Sequence, residues 1–93
     1  MLQAEDFEPH LGKTFNFDGG HALVLDRVER GGPPPAAGLR PPFIVIFRGP
    51  KTADHLREGL VHCEAGDGVA FDLYVSPVHT PAPDRQDYQA AFN

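Results

Sequence analysis

Polar and apolar residues alternate with a period of two in several short runs of this 93-residue chain, as they do in strands with one buried face. In TFNF (14–17) the period puts Phe15 and Phe17 on one side, DGG (18–20) reads as a turn, and HALVLDRVER (21–30) reads as a longer strand. Leu23 and Leu25 share a face of that strand, whereas Val28 falls out of phase with them. A β-bulge near Asp26 and Arg27 is therefore expected, because one extra residue restores the register. LVHCEA (60–65) and VAFDLYVSPV (69–78) flank GDG and form a hairpin. A two-residue loop would set Glu64 against Val69 and His62 against Phe71, mixing polar with core positions. A three-residue loop with Gly68 left-handed pairs Ala65 with Val69, Cys63 with Phe71 and Val61 with Leu73, and is the loop expected. In the last segment, DYQAAFN (87–93), Tyr88, Ala90 and Phe92 alternate as the inward face of a final strand. Its ladder is to be completed by the first strands of the same chain or by a partner.

Elsewhere the pattern is not alternating. FIVIF (43–47) is apolar on both faces and must be covered on both. Phe43, Val45 and Phe47 can fill the core, which leaves Ile44 and Ile46 to be covered by the N-terminal segment, with its Leu2, Phe7 and Leu11, or by another protein. The preceding GGPPPAAGLRPP (31–42) holds five of the ten prolines; lacking ladder donors, it predicts a long exposed loop. Recognition by polyproline-binding modules usually needs Pro at i and i+3, a spacing absent from this chain. Residues 2–13 predict a helical turn or two, ending near Pro9 and Gly12. RGPKTADHLREG (48–59) predicts a turn and then one helical turn, with Thr52 as N-cap and Gly59 as its stop. A second proline-bearing connection, SPVHTPAPDRQ (76–86), leads to the final strand.

Size and composition narrow the functional classes. A chain of this length builds one core, so residues 1–93 are a single domain without room for a separate catalytic one. A hydrophobic content of 41%, including seven Phe, separates it from disordered chains. The net charge of -5, with no cluster of Lys or Arg, argues against binding nucleic acid or an anionic membrane, since neutralising phosphates needs a basic stripe. The start, MLQAEDFEPHLG, has acids where a signal peptide has a basic stretch, and no segment approaches 18 apolar residues. A cytoplasmic protein is expected. Cys63 is the lone cysteine, so no intrachain disulfide forms.

Candidate chemistry is sparse. His62 and Cys63 are neighbours on a strand and so point to opposite faces, which rules out a dyad between them. Cys63 is assigned to the core, where an apolar setting suppresses the thiolate. His62 lands opposite Asp72 on the outer face, beside a Leu60 and Tyr74 pair; across an exposed sheet a His–Asp contact is ordinarily a modest surface pair. The histidines (10, 21, 55, 62 and 79) lack the spacings that place two on one face, and His55, His62 and Glu64 are the nearest cluster, so no metal site is expected. No glycine pattern cradles a phosphate, and no serine sits in a nucleophile elbow. No cofactor and no catalytic residue are assigned.

The ordered segments FEPHLGKTF (7–15), PFIVIFRGP (42–50), LREG (56–59), FDLYVSPV (71–78) and YQAAFN (88–93) resemble a small bacterial domain-of-unknown-function family over nearly the whole chain. Its most specific marks are the Phe-Arg-Gly-Pro turn at 47–50 and the Tyr to Phe-Asn ending. Where the family pattern has an aromatic soon after the glycine of LREG, this chain has Leu60 and Val61. The resemblance implies at most a structural or accessory role, with relatives beside genes for phage-tail-like proteins, and carries over no catalytic residue.

The expected fold is all-β, a small antiparallel barrel or compact sandwich of five or six strands with a short N-terminal helical segment. The expected function is a non-enzymatic interaction or assembly module with a protein partner or a second copy of itself. Its candidate surface is Ile44, Ile46 and Arg48 beside an open strand edge. A small-ligand binding barrel is the alternative.

Overall fold

The computed structural model describes residues 2–52 and 55–93. A short helix α1 (Ala4–Phe7) runs into a 3₁₀ turn (Glu8–His10). Strands β1 (Thr14–Phe17), β2 (His21–Arg30), β3 (Phe43–Pro50), β4 (Gly59–Ala65), β5 (Ala70–Val78) and β6 (Arg85–Phe92) follow. They form a closed antiparallel barrel in the order β1-β2-β3-β6-β5-β4. Of the two architectures the sequence allowed, the barrel is the one formed, and it uses six strands. Closure depends on β1, which pairs with β2 through Phe15↔Leu23 and with β4 through Phe15↔Ala65 and Phe17↔Cys63. The final strand β6 lies between β3 (Val45↔Ala90, Phe47↔Tyr88) and β5 (Ser76↔Gln89). Its ladder is thus completed within the chain, by the middle strands rather than the first ones.

The interior is the set that the two-residue period selects. Phe15, Phe17, Leu23, Leu25, Val45, Phe47, Cys63, Ala65, Phe71, Leu73, Val75, Tyr88 and Ala90 are all buried in one cluster. The register slips between Leu25 and Arg27, so that Val28 pairs with Val45 and packs against the core; this is the expected bulge. Phe47 meets the edges of Phe15 and Phe17 at 5.2 and 5.1 Å between ring centres, the tilted geometry that aromatic quadrupoles favour.

One barrel end is closed by the N-terminal segment. The Gln3 N–H donates to the Asp6 carboxylate at 2.7 Å, which starts α1, and Pro9 occupies the first turn of the 3₁₀ segment, where its missing N–H costs nothing. Phe7 stacks on Phe71 at 4.7 Å and touches Phe43 and Phe92 at 6.0 and 5.7 Å. The exposed loop 31–42 is moored at this same end. The Gly31 N–H donates to the Pro42 carbonyl at 2.8 Å. Arg40 donates to the Leu2 carbonyl at 2.7 Å and lies 5.2 Å from the centre of the Phe92 ring, a cation–π contact.

Three local expectations need correction. The N-terminal segment does not lie over Ile44 and Ile46, because Phe7 is drawn to the ring cluster at the barrel end; Leu11 is 46% exposed. Ile46 is only 5% exposed and stands in register between Arg27 and Gln89, whose long side chains flank it, while Ile44 is half-buried between Glu29 and Ala91. Nor is there an open edge beside them, since β3 is paired on both sides. Second, Phe47–Pro50 is not a turn but the end of β3, with Arg48↔Asp87, Gly49↔Gln86 and Pro50↔Arg85 in register. Proline is tolerated there because it ends the strand. Third, Gly59 opens β4 instead of stopping a helix, and residues 55–58 are not helical. Ala53 and Asp54, where the rest of that helical turn was expected, lie outside the described residues. Leu56 is buried at the second barrel end, its N–H donating to the Tyr88 hydroxyl at 3.2 Å.

Gly49 is where the strand most depends on glycine. A methyl group there would collide with Cδ2 of Leu23, a core residue. Gly49→Ala is expected to lower stability by about 1–3 kcal/mol through overpacking. Leu23→Ala alone should cost about 2–5 kcal/mol, and the double variant should cost less than the sum of the two. Urea denaturation of the four proteins checks this, and strict additivity would mean the two residues are not in steric conflict.

Candidate functional site

The β4–β5 hairpin determines what its outer face presents. The Ala65 N–H donates to the Val69 carbonyl at 2.8 Å and the Gly68 N–H donates to the Ala65 carbonyl at 3.1 Å, with Gly68 at φ +88°, so the loop is the three-residue Gly66-Asp67-Gly68. The register Glu64↔Ala70, Cys63↔Phe71, His62↔Asp72, Val61↔Leu73 and Leu60↔Tyr74 follows from it. Cys63 points inward and is fully buried. Desolvation, with smaller contributions from the Asp72 and Asp18 charges, pushes its thiol up to about 12.

Leu60, His62 and Glu64 on β4 and Ala70, Asp72 and Tyr74 on β5 share the outer face. Nδ1 of His62 lies 2.8 Å from Oδ1 of Asp72, and Nε2 lies 3.6 Å from Oε1 of Glu64. The Asp72 hydrogen bond raises the His62 pKa above its ordinary 6.5, helped by Glu64 and by the charge of Asp18. Leu60 is 74% exposed and Tyr74 57%, the two largest exposures among the big apolar side chains of the described residues, and they are direct register partners. The Tyr74 hydroxyl donates to Oε2 of Glu58 at 3.0 Å, which fixes the ring's direction and raises the phenol pKa.

Charge is segregated onto the same stretch of chain. Of thirteen acids and eight bases, residues 58–84 hold five acids (Glu58, Glu64, Asp67, Asp72 and Asp84) and neither Lys nor Arg. The remaining eight acids and eight bases cancel, so the whole net charge of -5 belongs to this stretch. The sequence already carried that signal, in the gap between Arg57 and Arg85, but a whole-chain charge conceals it. Strong exposure of Leu60 and Tyr74 was not readable from periodicity, which assigns a face without saying whether another element covers it.

The other candidates lie apart from this face. Arg48 is engaged with Asp26 at 2.6 Å in a surface network that includes Arg27 and Glu29. It also borders a 480 Å³ open groove with Ala22, Val24, Gly49, Asp84 and Arg85. A second groove, of 440 Å³, lies at the barrel end beside His21, His55 and Tyr88. Among the described residues no three His, Cys, Asp or Glu side chains are arranged to hold a metal ion, and no helix is long and apolar enough to cross a membrane.

Two measurements test this geometry. Cys63 should resist thiol reagents in the native protein and react at once in denaturant; rapid native labelling would contradict the register. The raised His62 pKa means that its bond to Asp72 stabilises the fold below about pH 6.5, the unfolded value, and that this contribution is lost as pH rises through the folded pKa. An NMR titration should therefore place the His62 midpoint above that of a free histidine, and Asp72→Asn should lower it. The stability difference between the two proteins should be larger at pH 6 than at pH 8.

A family profile described as a domain of unknown function matches residues 2–92. No curated protein and no solved structure shows significant similarity to the chain. The match spans the plug, all six strands and both barrel ends, and the chain belongs to the DUF6916 family of domains of unknown function.

Proposed function

We propose that this domain is a non-enzymatic interaction module that binds a protein partner through the outer face of β4 and β5. The observation that carries this reading is the Leu60–Tyr74 pair, a cross-strand pair left exposed on a sheet whose inner face is filled. Paired apolar and aromatic side chains in water, rimmed by polar groups, mark protein contact surfaces, and Tyr is enriched in them. The barrel interior supports the same choice, since its rings and aliphatic side chains close on one another and leave the available space on the outside. On this reading the domain is an accessory part of a larger multi-protein structure, phage-tail-like or of another kind, working in the cytoplasm. The Ile44, Ile46 and Arg48 region is a secondary contact at most, because Ile46 is covered and Arg48 is paired.

The small-ligand reading draws on one feature, the 440 Å³ groove beside His21, His55 and Tyr88. It predicts a stabilising small molecule whose effect is lost on altering His21.

Site-specific photo-crosslinking in the native cell separates the two. A benzoylphenylalanine at position 60 should trap one discrete partner, and the same group at Leu11 or Leu39, both exposed elsewhere, should trap none. Adducts only from Leu39 would move the contact to the proline-rich loop. The absence of adducts at all three positions would remove the interaction-module reading.

A further inference from the structure

We propose that the occupant of the β4–β5 face is a cationic segment of a partner protein, an arginine- or lysine-bearing stretch whose side chain lies over Tyr74 while its charge meets Glu58, Glu64 and Asp72. This rests on the interaction-module reading and specifies its partner.

The mode of docking follows from closure of the sheet. Every strand has two neighbours, so no strand presents a fully open edge, and the side chains left exposed on β4 and β5 lie on the outer face, across which the partner docks. On this face the aromatic side chain is already oriented, because the Tyr74 hydroxyl is held by Glu58. An oriented ring loses little freedom on binding and offers a negative π surface, which attracts cations.

The charges select the sign of the partner. Six acids elsewhere are matched by a base: Asp26 and Glu29 by Arg27, Glu5 and Glu8 by Arg30, Asp87 by Arg85 and Asp67 by Lys13. Glu58, Glu64 and Asp72 have no Lys or Arg partner among the described residues; their neighbours are Tyr74 and His62. An anionic partner would meet uncompensated like charge here, whereas a cationic one supplies the missing counter-charge and gains both rate and selectivity from it.

His62 makes the face sensitive to pH. It is met by Asp72 from β5, by Glu64 from its own strand and by Asp18 after β1. When His62 is neutral the acids present their full charge. Its protonation places a positive charge among them, so attraction for a cation is strongest on the alkaline side and falls on acidification.

The test uses the full chain, labelled with nitrogen-15, and two synthetic peptides of equal length, one alternating Leu with Arg and the other Leu with Glu. The Arg peptide should shift the amide resonances of residues 58–64 and 70–76 saturably, and the Glu peptide should not. Tyr74→Ser should weaken binding about threefold, as expected for losing an exposed cation–π contact. Combining Glu64→Gln with Asp72→Asn should weaken it by about tenfold or more, and both proteins should keep the wild-type spectrum elsewhere. Acidification from pH 8 to 6 should weaken binding to the wild type and leave His62→Gln unaffected. Equal binding of the Glu peptide at this face would overturn the cationic occupant while leaving the interaction-module reading intact. Binding of the Arg peptide elsewhere, or binding undiminished by the charge variants, would also overturn it. Silence of this face toward both peptides rejects the cationic occupant; combined with an absence of crosslinks from position 60, it rejects the module reading too.

Discussion

Closure of the sheet by β1 is the constraint on which the rest of the molecule depends. Four residues, Thr14–Phe17, join β2 to β4, and their two inward rings, Phe15 and Phe17, lie in the interior they help enclose. A strand so short can span the gap only because both its neighbours are held independently, β2 by β3 and β4 by β5. With every strand joined to two others, the closed sheet presents no fully open edge, which favours contact through its faces and ends. The ends are then closed by chain that is not sheet: Phe7 and its helix at one, Leu56 with the Tyr88 hydroxyl at the other.

Within that frame the alternation of residue types was enough to recover what is local. The bulge beside Asp26 was legible because Val28 is out of phase with Leu25, and the Gly66-Asp67-Gly68 loop because only that length keeps His62 away from Phe71. These are questions of parity, which one strand or one hairpin decides alone. Strand order is a different kind of question. That Tyr88 would stand beside Phe47 and Pro77 depends on contacts made across the whole barrel, and nothing near residue 88 specifies them.

The misread positions share one cause. Gly and Pro at 49 and 50 look like a turn to any reading of neighbours, but the glycine answers to Leu23, a residue twenty-six positions earlier, whose side chain needs the space. Ile46 looks exposed by parity, yet the side chains flanking it come from β2 and β6. Leu60 and Tyr74 were placed correctly opposite one another, while their exposure depended on which other segment might have covered them. Sequence thus settled which side chains share a face, and tertiary structure settled which faces meet water.

The mooring of Arg40 has a consequence for how this domain can be carried by other chains. Its guanidinium holds the Leu2 carbonyl and lies over the ring of Phe92, so the two extremities of the fold are brought to the same place, at the plugged end of the barrel. The hairpin loop touches that end too, through Asp67 and His10, whereas Leu60 sits near the far end of β4 and its partner Tyr74 at the middle of β5. A fold whose extremities adjoin can be spliced into a surface loop of a host protein, or rejoined by a short bridge and opened elsewhere, without unthreading the barrel. In the first arrangement the host would sit at the plugged end, leaving the Leu60–Tyr74 pair free of it on the outer face of β4 and β5.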